Sequence, residues 1–346
     1  LVKQVRLFNV KNIIVTDEKA RIEIKKRLNT KKIKIFNSFD SLKNILKNKK
    51  IDYTMSSISG MEGLCPTLEV IKFTKKIAIA NKEAIICGWS LINKELKRNK
   101  TQFIPIDSEH FSIFSLVKDH NPDEIEKIYI TASGGPFLKY PKSKFKDITL
   151  KNAINHPSWS MGKKISIDSS TMMNKVFEVI EARNIFNIDY KKILILTHPK
   201  SYVHALVKFT NGLTKILLHE TDMKIPIHNS IYSFNKKKIK SKSINFDILN
   251  NLEFKRVDYN KFPLIKILNK IPKNNSLYET VLISINDYFV SKFLNKMIKY
   301  EELIRLINLH INSKKFTKFR KIPVKNVKDI YKTRDYVSLK LDTLGI

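Results

Sequence analysis

The sequence predicts an α/β protein whose chain runs into an all-helical end. Three observations carry this expectation. Short β-branched runs alternate with amphipathic segments through the first two hundred residues, the rhythm of a parallel sheet. That alternation stops after Ile227, where the chain enters a Lys/Ser-rich stretch from Lys236 to Ser243. Beyond about Lys261, apolar residues recur at three- and four-residue intervals, the period of a helix with one buried face.

In chain order, Leu1-Val2-Lys3-Gln4-Val5-Arg6-Leu7-Phe8 opens in a helical pattern. Strands are expected at Asn12–Val15, Lys32–Ile35, Lys76–Ala80, Phe103–Ile106, Lys127–Thr131 and Ile193–Thr197. Helices are expected over Tyr278–Met297 and Tyr300–Ile311. The expected organisation is a partial nucleotide-type α/β domain over 1–100 and a second α/β domain over 101–235, then a linker over 236–260 and a helical domain over 261–346. A doubly wound domain normally opens with a strand and a glycine-rich turn. No such turn occurs here, and the start at Leu1 reads as a truncation.

Composition narrows the class. The 346 residues are 42% hydrophobic with only 8 Gly and 11 Pro, which excludes collagen-like, disordered and linker-dominated chains. No apolar run of about 18 residues and no basic-then-apolar leader is present, so a soluble intracellular protein is expected. Cys65 and Cys87 are too few for a disulfide framework and lack metal-ligand spacing, so both are expected as buried small hydrophobes. The net charge of +33 is nearly all lysine, 56 Lys to 9 Arg, scattered along the chain. Base readout and phosphate forks favour arginine, and no basic run is interleaved with stacking aromatics, so nucleic acid is not the expected partner. Attraction for small anionic substrates is compatible with this charge.

Several polar clusters follow strand ends, where open α/β sheets bind ligands. Asp107-Ser108-Glu109-His110 follows Phe103–Ile106, and carboxylates at i and i+2 on extended backbone point to one side, a donor pair suited to Mg²⁺ or Mn²⁺. The same residues equally make a solvated turn and an N-cap. Asp168-Ser169-Ser170-Thr171 reads as the cap of a following helix, on which Asn174, Lys175 and Glu178 share one polar stripe. That stripe suits a phosphorylated polyol and a metal shell, or an ordinary surface ion pair. Ser133-Gly134-Gly135-Pro136 offers a hydroxyl and exposed N–H groups to an anion, or simply turns the chain. His156 to Lys164 has no periodicity yet carries Trp159, which fits a lid or a packed surface loop. Asn81-Lys82-Glu83 and His198-Pro199-Lys200-Ser201 with His204 follow further strands. Convergence of all six clusters on one cleft is the inference.

In this order, Ala80-Asn81-Lys82-Glu83, Asp107-Ser108-Glu109-His110, Ser133-Gly134-Gly135-Pro136-Phe137, His156-Pro157-x-Trp159-Ser160-Met161-Gly162 and Asp168-Ser169-x-Thr171-Met172-Met173-Asn174-Lys175-x-x-Glu178 closely resemble the 1-deoxy-D-xylulose 5-phosphate reductoisomerases. The resemblance covers nearly the whole chain and is looser in the C-terminal domain. It implies a truncated Rossmann-like NADPH-binding domain, a central α/β catalytic domain with a lid over 156–164, and a C-terminal helical domain. It also implies rearrangement of 1-deoxy-D-xylulose 5-phosphate and reduction by NADPH to 2-C-methyl-D-erythritol 4-phosphate in isoprenoid biosynthesis. Asp107, Glu109 and Glu178 would hold Mg²⁺ or Mn²⁺, with Co²⁺ also admissible. Lys82 would stand with them as a catalytic group. Ser108, Ser133, His156, Trp159, Ser169, Asn174, Lys175, Ser201 and His204 would meet the phosphorylated sugar together with Glu109 and Glu178. Asn81, Lys82, Glu83, Met161 and Gly162 would face NADPH. A cytoplasmic bacterial homodimer is implied as well.

Three departures stand out. By the resemblance the family's glycine-rich turn is expected before the position of Leu1, and with it the pyrophosphate site of NADPH. His219 replaces a usual glycine, and Asn286-Asp287 stands for a more usual Asn-Glu. The alternative expectation is a catalytically impaired remnant that retains ligand binding only.

Overall fold

The computed structural model describes residues 1–28, 32–47, 49–232 and 237–343. The chain opens with α1 (Val2–Leu7), followed by β1 (Asn12–Ile14), α2 (Glu18–Leu28) and β2 (Lys34–Phe36). The two strands pair in parallel and cover a small cluster of Val5, Ile13, Val15 and Leu28. After α3 (Leu42–Ile45) come β3 (Ile51–Ser56), α4 (Leu64–Ile71), β4 (Thr74–Ile79), α5 (Lys82–Asn99) and β5 (Gln102–Pro105). These strands form a parallel three-stranded sheet in the order β3-β4-β5. Ile77, Ala78 and Ile79 are fully buried in β4, as expected of a central parallel strand covered on both faces.

Next follow α6 (Ser108–Val117), β6 (Ile125–Ala132), α7 (Leu150–Ile154), α8 (Lys163–Ser170) and α9 (Met173–Phe186). The chain continues through β7 (Ile193–Thr197), β8 (Val203–Phe209), β9 (Thr214–Leu218), α10 (Lys224–Tyr232), α11 (Phe246–Asn250) and β10 (Lys255–Arg256). The resulting five-stranded sheet has the order β10-β7-β6-β8-β9, with β6 and β7 parallel and the other pairs antiparallel. The C-terminal part comprises α12 (Leu277–Leu294), α13 (Tyr300–Ile311), α14 (Lys314–Thr317) and α15 (Val327–Asp342). α12 is apolar on all sides because it is central: it packs on α13 and α15 and also on α5 and α8. One continuous core therefore runs from the first α/β unit into the helical end. Among the described residues no helix is long and apolar enough to cross a membrane.

The structure departs from the sequence expectations at several points. β5 lies beyond residue 100 yet hydrogen-bonds to β4 in the first sheet. Lys236, first residue of the expected linker, lies outside the described residues, while the rest of that stretch carries α11 and β10, which pairs with β7. Asp168–Ser170 do not cap α9. They are the last turn of α8, and the chain passes directly into α9 through Met172, whose φ of 63° reverses the backbone without an intervening loop. Cys87 is buried, but Cys65 is exposed: α4 turns Leu64, Pro66, Thr67 and Ile71 inward, and position 65 falls on the opposite face.

Candidate active site

Asp107 lies two residues beyond the end of β5 and serves both functions that its position allowed. Its carboxylate accepts from the N–H of Glu109 at 3.3 Å, capping α6, while facing the cavity. Glu109 sits in the first turn of α6 rather than on extended backbone, and still converges with Asp107. Glu178, buried on α9, completes a trio in which one oxygen from each carboxylate lies within 4.8 Å of the others. Three hard oxygen donors at this spacing fit Mg²⁺ or Mn²⁺.

Two lysines enter the trio. Lys82 Nζ, from the first turn of α5, lies 3.0 Å from Asp107 Oδ2 and 3.7 Å from Glu178 Oε1, and donates to Asn174 Oδ1 at 2.7 Å. Lys175 Nζ donates to Glu109 Oε1 at 2.8 Å and pairs with Glu178. Burial opposes both ammonium charges, yet the surrounding carboxylates hold the pKa of each lysine above its ordinary value. Burial and the neighbouring Glu109 also raise Glu178, to about 8, which for a carboxyl favours the neutral form. The deepest carboxylate is therefore the one that most needs a cation to ionise.

A second layer lies behind. His110 is fully buried, with Nε2 2.8 Å from the backbone carbonyl of Glu178 and Nδ1 3.3 Å from Asp107 Oδ1 and 3.5 Å from Glu181 Oε2. Burial disfavours its charge, but Glu181 and Asp107 outweigh that and raise it to about 9.

Beside the acids is an anion-type pocket. Gly134 and Gly135 have φ of 84° and 64°, and a Cβ on Gly135 would stand 2.9 Å from the carbonyl of Ser169, so only glycine lets this turn meet the end of α8. His156 Nδ1 accepts from the N–H groups of Ser158 and Trp159 at 3.1 and 3.0 Å, so Nε2 carries the proton and donates to Ser133 Oγ at 3.0 Å. Burial and Lys175 lower this imidazole to about 4, which agrees with a neutral ring. The N–H of Gly135 also donates to Ser133 Oγ, at 3.1 Å, leaving the serine O–H as a donor for a ligand. Ser201 reaches the same pocket with its backbone in the left-handed region, φ 51°, a strained setting that marks functional turns.

One cavity of about 240 Å³ is lined by Lys82, Asp107, Ser108, Glu109, Ser133, His156, Trp159, Met161, Ser169, Asn174, Lys175, Glu178, Ser201 and His204. A larger hollow of about 810 Å³ beside α13 is lined by lysines and surface glutamates without a convergent cluster. Three expected site residues stand apart. Asn81 caps α5 by accepting from Ala84 N at 2.8 Å, and its amide donates to the carbonyls of Ile58 and Gly60. Glu83 pairs with Lys164 at 3.0 Å, and Gly162 is the exposed N-cap of α8. Of residues 156–162, His156, Trp159, Ser160 and Met161 line the cavity, and the segment ends at the start of α8, where Lys164 is anchored. Its Nζ lies 3.0 Å from both Glu83 and Asp168 and 3.1 Å from Asp287.

Sequence reasoning missed Thr131 and Met223, which also line the cavity, and assigned no role to His110 or Glu181. Glu181 lies one turn beyond Glu178, so helical spacing carried that signal. Met223 and Thr131 had none, since only the folded sheet brings them in.

Family models described as "1-deoxy-D-xylulose 5-phosphate reductoisomerase" match residues 1–88, with its C-terminal domain models matching 103–186 and 218–337. The Pelagibacter ubique 1-deoxy-D-xylulose 5-phosphate reductoisomerase is 55% identical, over 100% of this chain and 89% of its own length. The Wolbachia pipientis protein of the same name is 39% identical, covering 84% of this chain and 76% of its own. The Zymomonas mobilis reductoisomerase in complex with NADPH superposes with a TM-score of 0.87 at 28% identity, covering 99% of this chain and 88% of that one. A DOX-P reductoisomerase structure in complex with NADPH, fosmidomycin and magnesium gives 0.87 at 27% identity, with coverages of 99% and 89%.

Proposed function

Since the chain belongs to the 1-deoxy-D-xylulose 5-phosphate reductoisomerase family, we propose how its own side chains divide the work of that activity. The protein is an NADPH- and divalent-metal-dependent enzyme that converts 1-deoxy-D-xylulose 5-phosphate to 2-C-methyl-D-erythritol 4-phosphate. Asp107, Glu109 and Glu178 hold the ion, a role supported by their spacing and by the hardness of their donors. When bound, Mg²⁺ or Mn²⁺ supplies Lewis-acid stabilisation of anionic oxygen during rearrangement.

The remaining roles fall to the protein. Lys82 and Lys175 keep the acids from repelling one another and present N–H donors to substrate oxygens. Ser133, His156, Ser169, Asn174 and Lys175 take the phosphate and hydroxyls, with Ser108, Ser201 and His204 completing the pocket wall. Trp159 and Met161 close over the substrate and exclude water before hydride transfer. Asn81, Glu83 and Gly162 support NADPH indirectly: Asn81 shapes the start of α5, while Glu83 tethers Lys164 beside the end of the lid. We place the cofactor domain over 1–105, since β5 closes the first sheet, the catalytic domain from 106 through β10, which pairs with β7, and the helical domain from 261. Leu194 on β7 and Ile216 on β9, both exposed, support a homodimer through the five-stranded sheet. The cytoplasm is the proposed location.

The remnant alternative finds no support, because every acid and lysine of the cluster is present and engaged. The observation that carries the reading is the convergence of three carboxylates from α6, its cap and α9 in the cavity that also holds the serine–histidine pocket. The test is NADPH oxidation by the purified protein with 1-deoxy-D-xylulose 5-phosphate and Mg²⁺ or Mn²⁺, beside Asp107→Asn. Turnover that the variant abolishes is expected; a variant as active as the parent overturns the metal role.

A further inference from the structure

β8 and β9 are in register at Val203↔Leu218 and again at Ala205↔Leu217, so His204 is an extra residue bulged into β8. A bulge re-aims a side chain, and here it turns His204 into the wall of the cavity. Thr131 Oγ1 lies 2.6 Å from the carbonyl of Val203 and 3.2 Å from that of His204, bonding the backbone at the irregularity.

The His204 ring is held on both sides. Trp159 of the lid meets it edge to face at 6.0 Å, and His219 stacks on it with centroids 3.8 Å apart and planes inclined by 20°. His219 follows β9, and its N–H donates to the carbonyl of Tyr202 at 3.1 Å. Its own carbonyl lies 3.2 Å from His204 Nε2. A carbonyl only accepts, so Nε2 of His204 carries the proton and Nδ1 is left as an acceptor. His219 Nδ1 in turn faces the carbonyl of Glu220 at 2.5 Å, which fixes the second ring. The His219 imidazole does not line the cavity; it is nine-tenths buried behind the residue that does.

We propose that His219 is a positioning residue for substrate binding: its stacked ring and backbone carbonyl lock His204 as the Nε2–H tautomer, with Nδ1 offered to a hydroxyl of the phosphorylated ketose. This rests on the reading that His204 lines the substrate pocket. The imidazole of a histidine turns easily about its terminal torsion, with two broad wells. A second ring against its face removes that freedom, whereas the usual glycine at position 219 would leave the face open.

The experiment compares His219→Gly, His219→Phe, His204→Asn and the His204→Asn/His219→Gly double variant in steady-state assays. His219→Gly is expected to raise KM for 1-deoxy-D-xylulose 5-phosphate by about tenfold, the worth of one hydrogen bond. Its kcat and its KM for NADPH should stay within about twofold of the parent. His219→Phe, which restores the ring face while both variants keep the backbone carbonyl, should restore KM, and His219→Gly should add nothing on the His204→Asn background. An unchanged KM in His219→Gly overturns the proposal, as does an effect that persists without His204. Imidazole ¹⁵N shifts provide a readout independent of turnover: the parent should show His204 as the Nε2–H form and His219→Gly an averaged ring. A parent inactive with this substrate would refute the reading of the site, while the ¹⁵N shifts would still decide the pairing; an averaged ring in the parent overturns it.

Discussion

Lys175 sets its ammonium 2.8 Å from Glu109 Oε1, 66 residues away in sequence, while also pairing with Glu178 on its own helix. With Lys82 beside Asp107, two cations stand among three carboxylates in a mostly buried space. Such a cluster tolerates burial because its charges nearly cancel, and it becomes unbalanced when one partner is removed.

Glu178→Gln should weaken Mn²⁺ binding by more than about tenfold, since even partners outside the metal shell are worth that much. Turnover should fall about a hundredfold or more. Burial and Glu109 hold the parent carboxyl up to about 8, so the neutral amide resembles the form it has without metal, and the fold should be intact. Calorimetric titration with Mn²⁺ and circular dichroism check both halves; near-normal product formation would refute the metal role.

Lys175→Ala should chiefly raise KM for 1-deoxy-D-xylulose 5-phosphate, by about ten- to a hundredfold, the range of a hydrogen bond from a charged donor. The same change removes a cation from beside two of the carboxylates proposed to hold the metal, so Mn²⁺ should bind at least as tightly. Steady-state kinetics at saturating NADPH decide this, and an unchanged KM counts against the contact.

Lys164→Met should cost about 2 kcal/mol of stability. It leaves Asp168, which is 2% exposed, with the Asn286 amide alone and unpairs Glu83 and Asp287; the loss stays below that of a fully buried pair because the ammonium is 33% exposed. Lys164→Arg should retain most of it. Urea midpoints of the two variants, compared with the parent, provide the measurement.

Glu279 caps α12 through the N–H and hydroxyl of Ser276, at 3.1 and 2.7 Å, and is fully buried. Burial raises its pKa from 4.5 to about 7, against the pull of Ser276. The folded chain keeps this proton through that interval while the unfolded chain has lost it. The stability it contributes is therefore complete below about pH 4.5 and lost as pH rises to 7, on the order of 3 kcal/mol in all. Glu279→Gln keeps an acceptor for the cap without titrating. Between pH 5 and 8 the parent should lose more stability than the variant, and parallel urea midpoints across that range would contradict the assignment.

How much of this was legible in the sequence varied with the kind of signal. β4 and β6 were readable because isoleucines recur at every second position, Ile77/Ile79 and Ile128/Ile130, whereas β8 was not, since the bulge at His204 breaks the alternation on which a strand is recognised. Asp168-Ser169-Ser170-Thr171 looked like a helix start because Asp, Ser and Thr favour N-caps. The direct passage from α8 to α9 depends on the positive φ of Met172, for which methionine gives no local warning. Cys65 was misplaced because composition says how often cysteine is buried and nothing about which face of α4 it occupies.

By itself the sequence determined the α/β character, the strand ends that carry polar clusters, and the acids, lysines and serines of the site, because these depend on residue type and near-neighbour spacing. Tertiary structure alone decided that Lys175 reaches Glu109, that Lys164 joins three helices, that Asn81 serves as a cap, and that His219 stands behind His204. Those relations join residues far apart in the chain, and their energies come from burial and short-range contact, which exist only once the sheets and α12 have closed one core around them.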